Sequence, residues 1–78
     1  MFLQNAEAME NAVGQLQELA TKRGWAPPQY ESMGFTGRPN ERVFATRCTM
    51  QERTAIGYGA RKQLSKQRAA QQVLVQLQ

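Results

Sequence analysis

The stretch Thr54-Ala55-Ile56-Gly57-Tyr58-Gly59-Ala60-Arg61-Lys62-Gln63-Leu64-Ser65-Lys66-Gln67-Arg68-Ala69-Ala70 changes character once, at Gly59. Before it the residues favour a short strand; after it nothing breaks a helix as far as Gln78. In that helix Ala70, Val73, Leu74 and Leu77 form one apolar stripe, and the stripe projected back meets Lys66, Gln63 and Lys62. A helix lying flat on a sheet along its whole length would bury those lysines unpaired, at a cost of about several kcal/mol each. The first turns are therefore expected to overhang the sheet, presenting free backbone N–H groups, the positive end of the dipole and two ammonium groups to an anion. The alternative is that the basic residues form a solvated face opposite the core, a side that the projection already assigns to Arg61, Ser65, Arg68 and Gln72.

Upstream, the third strand is predicted over Thr54 to Tyr58, joined through Gln51-Glu52-Arg53 to a strand over Val43 to Met50. The second strand alternates Phe44, Thr46, Cys48 and Met50 with Ala45, Arg47 and Thr49, one face buried and the other wet. Gly34, Gly37, Pro39 and Asn40 mark a turn, and a first strand is predicted from about Gln29 to Met33. Pro27-Pro28 excludes helix there. From about Asn5 to Arg23 the apolar residues Met9, Ala12, Val13, Leu16, Leu19 and Ala20 recur at helical spacing, with Asn11, Gln15, Glu18 and Lys22 on the other side and Gly24 as the terminator. The order is α-β-β-β-α: an α+β fold whose three-stranded antiparallel sheet carries both helices on one face, in one domain over residues 1–78 with its core at about 5–77. That domain is expected to be a module of a larger protein.

Composition narrows the chemistry. With 78 residues, one Cys and no His, the chain can form no internal disulfide and no zinc site, and it lacks every Ser-His or Cys-His nucleophile pair. All six acids are scattered glutamates, so no catalytic residues and no cofactor or metal are expected. No apolar run is long enough for a membrane and the N-terminus has no signal-peptide pattern, which makes an intracellular location, nuclear or cytoplasmic, the expectation. Net charge is +4, unevenly spread. Lys22 and Arg23 face four glutamates up to residue 36, a net of −2, whereas Arg38, Arg42, Arg47, Arg53, Arg61, Lys62, Lys66 and Arg68 face two glutamates afterwards, a net of +6. A polyanion would meet the second half.

Four motifs occur in order: Leu16-Gln17-Glu18-Leu19, Pro28-Gln29-Tyr30-Glu31, Gly37-Arg38-Pro39-Asn40 with Phe44 following, and Gly57-Tyr58-Gly59 leading into Lys62-Gln63-Leu64-Ser65-Lys66 and Ala69-Ala70. Together, from about Asn11 to Leu77, they resemble the double-stranded RNA-binding domain family. The resemblance implies recognition of duplex RNA by shape, through two minor grooves and the major groove between them. Asn11, Gln15 and Glu18 would reach 2′-hydroxyls in one minor groove, and Arg38, Pro39, Asn40 and Arg42 would enter the next. Lys62 and Lys66, beside Arg61 and Gln63, would meet phosphates across the major groove. Asn40 stands where the family has His, Gln63 replaces the middle lysine and Ser65 an alanine, so fewer phosphate contacts are expected.

The remaining conspicuous residues are expected to be structural: Trp25 capping a core, Phe44 and Cys48 inside it, Tyr58 on the side of Ile56 as packing. Ser65 has no base and is no nucleophile. Leu64, Gln71 and Val75 are predicted on the helix side away from the core, and the apolar Leu64 and Val75 make a protein-binding patch the alternative function. Self-association or a protein partner docked on the second helix would then stand in place of a weakened RNA surface.

Overall fold

In a computed structural model the protein is described over residues 11–78; the predicted helix start at Asn5 and the stripe residue Met9 lie outside the described residues. Helix α1 (Ala12–Arg23) is followed by strands β1 (Gln29–Thr36), β2 (Val43–Met50) and β3 (Arg53–Gly59) and by helix α2 (Lys62–Leu77). The strands form one antiparallel sheet in the order β1-β2-β3, with both helices on one face, as the sequence predicts. Leu16, Ala20, Cys48, Met50, Ala69, Ala70, Val73 and Leu74 make the core between them. Trp25 and Tyr30 pack against its margin.

Helix α1 ends as its sequence requires. Gly24 adopts φ 71°, and the Trp25 amide donates to the Ala20 carbonyl at 2.9 Å, satisfying a group the last turn would otherwise leave open. The helices run side by side in the same direction: the Val13 amide near the start of α1 donates to Gln67 Oε1 at 3.2 Å, while Leu19 and Trp25 share a groove with Leu74 and Leu77.

Strand β1 runs three residues past the predicted Met33. Ser32 lies opposite Thr46 and Phe35 opposite Phe44, so Met33 and Gly34 together face the single residue Ala45. This is a β-bulge, with Gly34 at φ 92° supplying the conformation that a side chain would resist. The glycine read as turn punctuation therefore bends a strand instead of ending it. Strands β2 and β3 join through Gln51 and Glu52 alone, both at positive φ (53° and 64°), the pattern of a type I′ hairpin.

Helix α2 approaches β3 more closely than the apolar stripe suggests. A Cβ on Gly57 would collide with the backbone of α2 at Ser65, Arg68 and Ala69, and one on Gly59 would come within 2.8 Å of Leu64 Cγ. The two glycines of Gly57-Tyr58-Gly59 thus form the seat on which α2 rests. Because the helix sinks there, its Ser65–Ala69 side turns toward the sheet. Ser65, predicted on the solvent side, is fully buried. Its hydroxyl donates to the Lys62 carbonyl at 2.7 Å and lies 2.7 Å from the buried Thr46 hydroxyl, which is left to donate in turn. Leu64 is half-buried over Gly59 instead of facing solvent.

Side chains of α2 also reach the outer edge of β3: Arg68 Nη1 donates to the Tyr58 carbonyl at 2.8 Å and Gln76 Nε2 to that of Thr54 at 3.1 Å. Tyr58 corrects the expectation that it packs: it is 55% exposed and, with Ile56, lies on the sheet face away from the helices. The inward positions of β3 belong to Ala55, Gly57 and Gly59, which put Ile56 and Tyr58 outside by strict alternation.

Candidate nucleic-acid interface

Three residues in a row across the sheet, Phe35, Phe44 and Gly59, locate the basic groups. The loop of residues 37–42 leaves β1 and enters β2 at this end, and α2 begins just beyond Gly59. The basic loop and the basic helix start therefore lie at one end of the sheet, on strands spaced about 5 Å apart.

Arg38, Pro39, Asn40 and Arg42 are all exposed in the loop. Its shape is fixed locally: the Glu41 amide donates to the Arg38 carbonyl at 2.8 Å, and Gly37, at φ 98°, passes so close to Glu41 that a Cβ would stand 2.5 Å from its carbonyl oxygen. Glycine is required there on both counts. The Arg42 guanidinium lies over the Phe35 ring, 4.3 Å from its centroid, and Phe35 in turn makes a tilted pair with Phe44 at 5.5 Å.

At the other cluster, Arg61 is in extended conformation and makes no side-chain cap to α2. The helix start thus keeps its unpaired N–H groups and the positive end of its dipole beside Arg61, Lys62 and Gln63, all exposed. Lys66 is half-buried, with its ammonium 4.7 Å from the centroid of the Tyr30 ring. The expected change of the α2 stripe from apolar to basic is thereby accommodated: Lys62 clears the sheet, and Lys66 rests on an aromatic face at its margin. Beneath it, burial pushes the Tyr30 phenol and the Cys48 thiol up from their ordinary ranges, so both stay neutral at physiological pH. The Tyr30 hydroxyl makes no hydrogen bond of good geometry and has the Cys48 thiol as its polar neighbour.

On α1, Asn11 and Glu18 are exposed and Gln15 is half-buried along one side of the helix, near the groove it shares with α2. The structure thus brings the loop and the α2 start together at one sheet end and keeps the α1 group as a separate polar strip. Val75 is 56% exposed. Phe35 and Tyr30 had no assigned part in the sequence reading, although each carries a cationic residue of the two clusters. The signal for Tyr30 was its place in the Pro28-Gln29-Tyr30-Glu31 motif; Phe35 had none, because the bulge reverses its face.

Among the described residues no group of His, Cys, Asp and Glu could hold a metal ion, and no helix is long and apolar enough to cross a membrane. The protein-family model of the double-stranded RNA binding motif matches residues 12–77. Among relatives, the chain is 38% identical to the interferon-inducible double-stranded RNA-dependent protein kinase activator A homolog B of Xenopus laevis, over 87% of this chain and 23% of that protein. It is 37% identical to Protein Loquacious of Drosophila melanogaster, over 87% of this chain and 15% of that protein. The chain therefore spans less than a quarter of either relative. In fold it is similar to the solution structure of the first double-stranded RNA-binding domain of DRB4, with a TM-score of 0.78 and 21% identity, covering 87% of this chain and 96% of that one.

Proposed function

Because the chain belongs to the double-stranded RNA binding motif family, we propose that it grips duplex RNA by shape with three surfaces. Asn11, Gln15 and Glu18 of α1 meet 2′-hydroxyls in one minor groove. Arg38, Pro39, Asn40 and Arg42 enter the next, and Lys62 and Lys66, with Arg61 and Gln63 beside them, contact the phosphates bordering the major groove between. Such a footprint covers about 16 bp and depends on A-form geometry more than on sequence. The observation that carries this reading is the gathering of the basic loop and the uncapped, basic start of α2 at one end of the sheet.

The test is titration of a fluorescent RNA duplex of about 20 bp, against a DNA duplex of equal length, at two salt concentrations. RNA is expected to bind more tightly than DNA and to weaken steeply with salt. Each of Lys62→Ala and Lys66→Ala is expected to lower the salt slope by about 0.9. Equal affinity for DNA refutes 2′-hydroxyl recognition, and absence of RNA binding at low salt refutes the reading itself.

The exposed Val75 favours a second reading, protein docking or self-association through α2. Leu64 contributes less to such a patch than its helical position suggests, since it is half-buried over Gly59. Sedimentation of the chain beside a Val75→Glu variant separates the two: a monomer in both cases argues against self-association.

A further inference from the structure

The β-bulge has a consequence for the basic loop. If Met33 and Gly34 did not together oppose Ala45, strict alternation would place Phe35 on the outer face of the sheet. The extra residue returns it to the face of Phe44, where the two rings pair at 5.5 Å. Phe35 still keeps half of its surface exposed. One π face of the ring carries the Arg42 guanidinium, 4.3 Å from the ring centroid. The arginine has a carboxylate close by in sequence, Glu41, but the structure shows it on the ring and in no ion pair among those formed by the described residues.

From these contacts we infer that Phe35 is a positioning residue: the bulged strand end holds it against Phe44 as a platform that presents Arg42 to the RNA. The inference rests on the RNA-binding reading above and adds a residue to it. An arginine on an exposed loop samples many rotamers, and ordering it on binding costs conformational entropy. A stacked guanidinium has lost much of that freedom beforehand, while its N–H edges remain free to meet phosphate or sugar oxygens. The bulge, Gly34, the aromatic pair and the tight Gly37 turn thus serve one purpose, a preset orientation for a single cation.

The experiment measures RNA duplex binding for wild type, Phe35→Leu, Arg42→Ala and the double variant, at a series of salt concentrations. Leucine keeps apolar contact with Phe44 and removes the π face; Phe35→Tyr restores that face and acts as the rescue. Phe35→Leu is expected to weaken binding about two- to fivefold, the range that an exposed cation–π contact supplies, and Phe35→Tyr to restore it. In the Arg42→Ala background the same Phe35→Leu change is expected to have no further effect. The salt slope should fall by about 0.9 in Arg42→Ala, and in part in Phe35→Leu, whose charge is unaltered. Thermal melts of every variant separate a folding defect from a binding one, since loss of stability alone leaves the slope unchanged. Wild-type affinity and slope in Phe35→Leu, or losses that simply multiply in the double variant, overturn the inference while leaving the RNA-binding reading intact. Failure of the wild type to bind overturns both.

Discussion

Replacing Ser65 with alanine probes the junction between sheet and helix. The substitution removes a fully buried hydroxyl that lies 2.7 Å from both the Thr46 hydroxyl and the Lys62 carbonyl. Alanine is the better helix former, which favours the variant by about 0.5 kcal/mol. Against that, Thr46 is only 7% exposed and loses the acceptor for its proton. Leaving such a buried donor unsatisfied costs about 1–3 kcal/mol. The desolvation penalty therefore wins, and Ser65→Ala should lower stability by about 1–2 kcal/mol, or the melting temperature by about 4–16 °C for a domain of this size. Thr46→Val alone removes the partner but leaves Ser65 its bond to the Lys62 carbonyl, so its loss should be smaller. With both changes no buried hydroxyl remains unpaired, and the double variant should regain most of the loss. The assay is a double-mutant cycle by urea or thermal unfolding, and a coupling of at least about 1 kcal/mol is expected. A Ser65→Ala variant as stable as wild type, or losses that add in the double variant, would refute the reasoning.

Gly57→Ala places a methyl group against the backbone of α2, which has no side-chain freedom with which to give way. The variant should lose more than about 3 kcal/mol and fail to give a cooperative melt, whereas Gly24→Ala, with open space around it, should lose only the smaller cost of its left-handed conformation. Gln51→Asn combined with Glu52→Gly should raise the melting temperature by about 4–8 °C, corresponding to about 1 kcal/mol, because both positions have positive φ that Asn-Gly adopts more readily. Stability should be flat between about pH 6 and 8, where no histidine titrates. It should then decline above about pH 9: burial raises the folded pKa of Cys48 and Tyr30, so the unfolded chain loses their protons first and alkali draws the equilibrium toward it. A Cys48→Ala variant, followed by pH-dependent melts, should show a later onset of that decline.

What the sequence revealed and concealed follows a physical division. Strand β2 was legible to the residue, because Phe44, Thr46, Cys48 and Met50 alternate without interruption against a wet face. The end of α1 was legible because Gly24 directly follows a cationic helix end. The basic clusters were legible as charge, and the helix periodicity of α2 placed Lys62 and Lys66 at the edge of the buried stripe. Ser65 was misplaced because its burial depends on how deeply α2 sinks over Gly57, a distance between segments rather than a property of either one. Tyr58 was placed correctly on the side of Ile56 but wrongly expected to pack, because the inward positions of the strand belong to Ala55, Gly57 and Gly59. Phe35 was concealed by the bulge, which arises from pairing with β2 and shifts every side chain after it to the opposite face. Local patterns thus disclose elements and charge, whereas register and depth of packing emerge only when two segments meet.

The hydrogen bonds from Arg68 and Gln76 to the carbonyls of Tyr58 and Thr54 bear on how copies of the chain behave when crowded. A three-stranded sheet has two edges, and an open edge is a template for another strand. A long polyanion would collect many copies along its length and raise their local concentration, the circumstance in which open edges pair and precipitate. Here β1 is bent by its bulge, and β3 has two of its carbonyls occupied by donors tethered in the same molecule. An incoming strand competes with those donors at a disadvantage, because they are always present at high effective concentration. On the proposed RNA-binding reading, these occupied carbonyls would hinder strand pairing between copies held close together on one duplex.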